Sequence, residues 1–168
     1  MTRLPPFPDF DTSAAWRVEE LEADRGWIFD IGVRDRAHLA RAAKDAYDPD
    51  RPLFSYTRED FDLGRAFETV ANAAREAHFG RGVALVKGLP RDELTKDEFQ
   101  LLTWAIGLNL GVARPQGKAT QYISEVRAAG MDYRTSAGRG YNSNATLDFH
   151  ADTCDLAVLA CYNRAKAG

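Results

Sequence analysis

The residues whose types and spacing could do chemistry gather late in the sequence, in Asn144-Ala145-Thr146-Leu147-Asp148-Phe149-His150-Ala151-Asp152. Side chains on a strand alternate between faces with period two. A strand over 144–152 therefore puts Leu147 and Phe149 on one face, and Asn144, Thr146, Asp148, His150 and Asp152 on the other. His150 and Asp152 are the informative pair. An imidazole nitrogen and a carboxylate oxygen two residues apart can reach one metal ion from adjacent vertices. Two histidines and one carboxylate on one face of Fe(II) leave its other positions open for a cosubstrate and oxygen. The spacing alone decides little: three histidines and 25 acidic residues in 168 give about 0.45 such pairs by chance. The bland alternative is a structural hydrogen bond between the two side chains.

The elements that must position this pair can be read upstream. Prolines 5, 6 and 8 make residues 1–12 an extended arm. Trp27 to Ile31 reads as a short strand, and Arg34 to Ala46 as a helix. Asp48-Pro49-Asp50-Arg51-Pro52 is a turn, punctuated by its prolines. A second helix is expected from Arg58 to His78, with Leu63, Phe67, Val70 and Ala74 along one face. His78 continues that face as a packed or capping residue, and His38, with no acidic partner near it in sequence, receives the same reading. Gly82 to Lys87 reads as a buried strand ended by Gly88-Leu89-Pro90. Thr95-Lys96-Asp97-Glu98 is a capping box. The helix it opens, Phe99 to Asn109, is apolar nearly all round, which predicts burial against a sheet, and Gly111 stands where a C-terminal glycine belongs. Further strands are expected at Gln121 to Val126 and Leu156 to Tyr162, around a polar loop from Ala128 to Gly140. Mixed helices and strands followed by a run of strands make an α+β pattern.

Composition narrows the partners. Hydrophobic residues make up 45% of the chain and charged residues 28%, which suits one folded domain. The net charge is −3 and the basic residues form no stripe, so nucleic acid has no electrostatic footprint to follow. The apolar runs at 83–86 and 156–161 fall far short of the ~20 residues that span a bilayer, and the proline-rich start is unlike a signal peptide. The two cysteines, Cys154 and Cys161, form no C-x-x-C motif and read as small buried residues. A cytoplasmic location is the expectation.

The surroundings of the pair carry more than its spacing does. Arg139-Gly140-Tyr141-Asn142-Ser143, Leu147-Asp148-Phe149-His150-Ala151-Asp152, the apolar run Leu156 to Cys161 and Ala165-Lys166-Ala167-Gly168 together resemble the taurine dioxygenase and clavaminate synthase-like family. Gly80 to Pro90, the Thr95 helix, Gly111 and Pro115-Gln116 resemble its N-terminal half more loosely. The resemblance implies a non-haem Fe(II) oxygenase that uses 2-oxoglutarate as cosubstrate and hydroxylates a small molecule. It also implies that His150 and Asp152 are the first two iron ligands. The implied fold is the first half of a double-stranded β-helix (jelly roll) with flanking helices, incomplete at its C-terminal end. One truncated oxygenase-like domain then spans 1–168: the arm at 1–12, helices and strands packing on the sheet at 13–112, and the first β-helix strands at 113–168. The family's distal histidine and 2-oxoglutarate-binding arginine come after its Gly-Gly pair. Gly168 matches the first of those glycines, no histidine follows His150, and Arg164 is the only later arginine. The expectation is a fragment inactive alone, or alternatively a non-catalytic binding or oligomerising module. Gln121, Arg139, Asn142, Asn144 and Asp148 are polar candidates to line the cavity, and Arg134 with Arg139 could meet an anionic group. Unpaired strand edges in half a β-helix template association, so homo-oligomers are expected.

Overall fold

The computed structural model describes residues 14–115, 121–127, 150–152 and 154–164. Along them run α1 (Val18–Ala23), β1 (Ile28–Asp30), α2 (Val33–Ala46), α3 (Ala66–Phe79), β2 (Leu85–Lys87) and α4 (Lys96–Leu110). Three single-turn 3-10 segments, at Leu53–Ser55, Arg58–Asp60 and Arg91–Glu93, sit between them. β1 and β2 pair in parallel, Ile28 opposite Leu85 and Asp30 opposite Lys87. Parallel neighbours need a crossover, and α2 and α3 supply it. The pairing continues one step past β1, where the Ile31 N–H donates to the Lys87 carbonyl at 2.9 Å. Gly88 must follow: its φ is +87°, and a Cβ there would stand 2.6 Å from the Ile31 carbonyl oxygen. The α+β class read from the sequence is what the described residues show.

α4 forms where its local signals put it. Thr95 Oγ1 accepts from the Glu98 N–H at 3.3 Å, and the Glu98 carboxylate accepts from the Thr95 N–H at 2.8 Å. Gly111 closes the far end, its N–H donating to the Gly107 carbonyl at 3.1 Å. Phe99, Leu101, Leu102, Trp104, Ala105 and Ile106 are all buried. Their partners correct one expectation. α4 packs on α2, α3 and the turn at 58–60 rather than chiefly on the sheet. The sheet is too small to cover it: two strands of three residues, with Leu85 and Lys87 of β2 exposed. The strand expected to be buried is thus exposed on one face, and the core lies between helices, at Leu39, Ala40 and Ala43 of α2, Val70 of α3 and the α4 residues.

α3 starts at Ala66, eight residues later than the expected Arg58. The chain before it is held in another shape. The Arg51 guanidinium grips both carboxylate oxygens of Asp60 at 2.9 Å and lies over the Tyr56 ring, 3.9 Å from its centroid. Asp60 in turn accepts from the Thr57 N–H at 2.7 Å. These contacts, Arg51 first, hold the Asp60 carboxyl down at about 2. Gly64 then takes φ +53°, which a regular helix excludes, with the His38 ring 2.9 Å from where a Cβ would be. Leu63 is buried all the same, together with Tyr56 and Phe61, so the apolar period marked burial without marking helix. His38 Nε2 lies 2.8 Å from the Asp62 carbonyl and 3.5 Å from its carboxylate, so its acidic partner comes from the following loop. α1 was not expected. It buries no residue and stands on the Glu20 carboxylate accepting from the Arg17 N–H at 2.7 Å, and on Trp27 Nε1 donating to the Leu21 carbonyl at 3.0 Å.

The strands expected at Gln121 to Val126 and Leu156 to Tyr162 are not observed: neither segment is helix or strand. Alternation suits a segment to a pleat, but a ladder exists only where a neighbour supplies the facing N–H and C=O groups. No such neighbour lies alongside among the described residues. The arm, the loop from 128 to 140 and residues 144–149 of the motif strand lie outside the described residues. The jelly-roll half remains an expectation of the resemblance.

Candidate functional site

His150, Ala151 and Asp152 are exposed and belong to no strand. Of the other residues singled out, only Gln121 is described. It is half-buried and its amide donates to Ser124 Oγ at 3.0 Å, a bond within its own turn of chain. Arg139, Asn142, Asn144 and Asp148 lie outside the described residues. Among the described residues, no group of three or more His, Cys, Asp or Glu side chains gathers closely enough to share a metal ion. Cys154 is half-buried and Cys161 exposed, and both are free thiols, which corrects the burial expected for Cys161.

An imidazole and a carboxylate are donors of the kind Fe(II) takes. Both belong to exposed residues. By donor type the pair is compatible with two positions of such a set.

The described segments that flank the pair in sequence are residues 121–127 before it and 154–164 after it. Neither contains a buried residue among those described. Each is instead fastened to the helical layer by aromatic and ionic contacts. Tyr122 joins Phe54 and Trp104 in an aromatic cluster, with ring centroids 5.2 and 5.8 Å from its own. Lys96 at the start of α4 pairs with Glu125, and that hydrogen bond holds the Glu125 carboxyl below the usual carboxylate range. Tyr162 stacks on Phe99 of α4 at 5.5 Å. Arg91 closes over it: Nε donates to the Tyr162 carbonyl at 2.6 Å, a terminal nitrogen donates to Asn163 Oδ1 at 2.5 Å, and the guanidinium lies 4.5 Å from the Tyr162 ring centroid.

A second seat lies closer to Asp152. Asp155 and Leu156 border an open groove of about 410 Å³ whose other wall is Phe67, Ala74 and His78 of α3 and Asn109 and Leu110 at the end of α4. His78 does not pack as expected. It is exposed, lines this groove and stands edge-on to Phe79 at 4.3 Å. Arg91, Phe99 and Tyr162 carry no sequence signal of their partnership, since 71 residues separate Arg91 from Tyr162.

No helix among the described residues is long and apolar enough to cross a membrane. No family model matches the chain. It is similar to FR-33289 synthase of Streptomyces rubellomurinus (strain ATCC 31215), 29% identical over 156 residues, which is 92% of this chain and 46% of that protein. The chain thus spans about half the length of the curated relative it matches.

Proposed function

We propose that this chain contributes His150 and Asp152 to a mononuclear non-haem Fe(II) centre that, with 2-oxoglutarate as cosubstrate, hydroxylates a small molecule. The observation that carries the reading is the Leu147-x-Phe149-His150-x-Asp152 motif, in a chain that aligns over 92% of its length with a synthase. Iron bound there would supply the oxidative chemistry. The chain's own part is coordination and placement. His150 would offer a neutral ring nitrogen and Asp152 a carboxylate that balances part of the metal's charge. Both bind only when deprotonated, so metal uptake should weaken on acidification. The helical layer would fix where the pair stands, through the contacts of residues 121–127 and 154–164. Residues 151–168 hold no further histidine, so the second imidazole of such a site would come from elsewhere.

Cobalt is a suitable probe, because Co(II) substitutes for Fe(II) without oxidising and absorbs visibly. Titration of the chain should give a weak cobalt spectrum that His150→Ala and Asp152→Asn each abolish. Incubation with Fe(II), ascorbate, 2-oxoglutarate and O2 should give no succinate above the His150→Ala control from residues 1–168 alone. A cobalt spectrum unchanged by both substitutions would sink the assignment of the pair.

The exposure of Leu159 (88%) and Val126 (68%) favours a second reading, in which exposed apolar side chains of these segments join a second copy of the chain. Sedimentation across a range of concentrations separates the two: a monomer throughout is the result that defeats it.

A further inference from the structure

We infer that Arg91 is a positioning residue for the His150–Asp152 pair; the inference rests on the iron reading above. The segment leaving Asp152 has no strand partner among the described residues and no buried residue of its own, so its course is set by where it is held. Leu156 borders the groove beside α3 and α4, and Tyr162 lies between Phe99 and Arg91. Of these two seats, only the second has directional bonds. The Arg91 fork reaches one backbone carbonyl and one side-chain oxygen on adjacent residues, Tyr162 and Asn163, while its flat face covers the Tyr162 ring. A planar donor engaged at three points fixes both translation and twist, which a point charge does not. Arg91 itself sits on the 3-10 turn between β2 and α4, where Pro90 is fully buried and Leu94 is buried. The rigid layer thus presents a side chain that holds the segment following the proposed ligands. A site held about 1 Å too loosely loses function while its residues remain present.

The test reads placement and metal separately, on the whole chain. Arg91 is part-exposed, its side chain 40% accessible, so Arg91→Ala should fold. Arg91→Ala should speed amide hydrogen exchange across 154–164 about fivefold or more, with exchange across α4 unchanged. It should also weaken cobalt binding about tenfold and alter the visible spectrum, as loss of an outer support of a metal site does. Arg91→Lys keeps the charge without the fork, and Asn163→Ala removes one acceptor while leaving Arg91 in place. Both should fall between wild type and Arg91→Ala. Unchanged exchange across 154–164 overturns the inference. Faster exchange with cobalt affinity and spectrum intact also overturns it, since Arg91 would then only fasten chain. A wild-type cobalt spectrum indifferent to His150→Ala is a different failure: it removes the iron reading, and this inference with it.

Discussion

Residues 27–110 and the described residues of 121–164 are held by different physics. The first region buries its own side chains: Leu39, Leu101 and Leu102 are each 1% exposed, in a core against whose edge the second lays the partly buried Tyr122, Ile123 and Tyr162. The second buries none among its described residues and takes its order from rings and ions placed on the helices. The residues with the best claim to chemistry, His150 and Asp152, belong to the second. A binding segment laid on a rigid scaffold is a common division of labour, because the scaffold supplies stability and the segment supplies the groups. The cost is that placement depends on few contacts, so single substitutions in the scaffold should reach the site.

The comparison can be broken or sharpened in four ways, from the largest effect down. Leu101→Ala should cost about 2–5 kcal/mol, the range for emptying a core leucine site, and release the second region along with the first. Urea unfolding followed by near-UV circular dichroism would show it. A loss confined to one region would mean that the second region carries its own stability. His150→Ala should do the opposite. It should weaken cobalt binding more than about tenfold and leave the urea midpoint where it was, because the residue is exposed and outside the core.

Tyr122→Ala removes a ring that contacts both Phe54 and Trp104. A loss of about 0.5–1.5 kcal/mol for each aromatic pair is expected beyond the area term. It should appear as faster amide exchange across 121–127, with α2 and α3 protected as before. Equal loosening of α2 would show that the cluster belongs to the core.

The smallest effect is an acid titration of the first region. Asp60 is held down from the usual 3.8 to about 2, mainly by Arg51 and then by the Thr57 N–H. A carboxyl whose folded value is depressed stabilises the fold above its unfolded value and loses that contribution as pH falls through its folded one. The difference in urea midpoint between wild type and Asp60→Asn should therefore be full above about pH 5 and shrink steadily as pH falls through about 2. Chain exchange across 121–127 and 154–164 should be indifferent to this substitution. A gap that did not shrink between about pH 5 and about pH 2 would place the Asp60 contribution somewhere other than its ionised carboxylate.

What could be read from the sequence shares one property: its causes lie within a turn of chain. The Thr95–Glu98 box, the start of β1, the span of α2 and the glycine after α4 were all legible because caps and periods act over three or four residues. The His-x-Asp pair was legible for the same reason, as two donors at a spacing. Where those local signals stopped, the tertiary structure decided. Arg51, Asp60 and Gly64 cut the expected helix short although its apolar period continued through Leu63. His38 found its acid in Asp62 across a loop. Gln121 to Val126 and Leu156 to Tyr162 have strand-like sequences and are not strands, because a ladder is a property of two chains side by side and not of one. Arg91 met Tyr162 across 71 residues, and nothing in either residue's neighbours announces the other. The sequence by itself determined where α2 and α4 form and which donor types stand at positions 150 and 152; only packing decided what lies beside the segments that follow, because a long-range contact depends on what the rest of the fold leaves beside it.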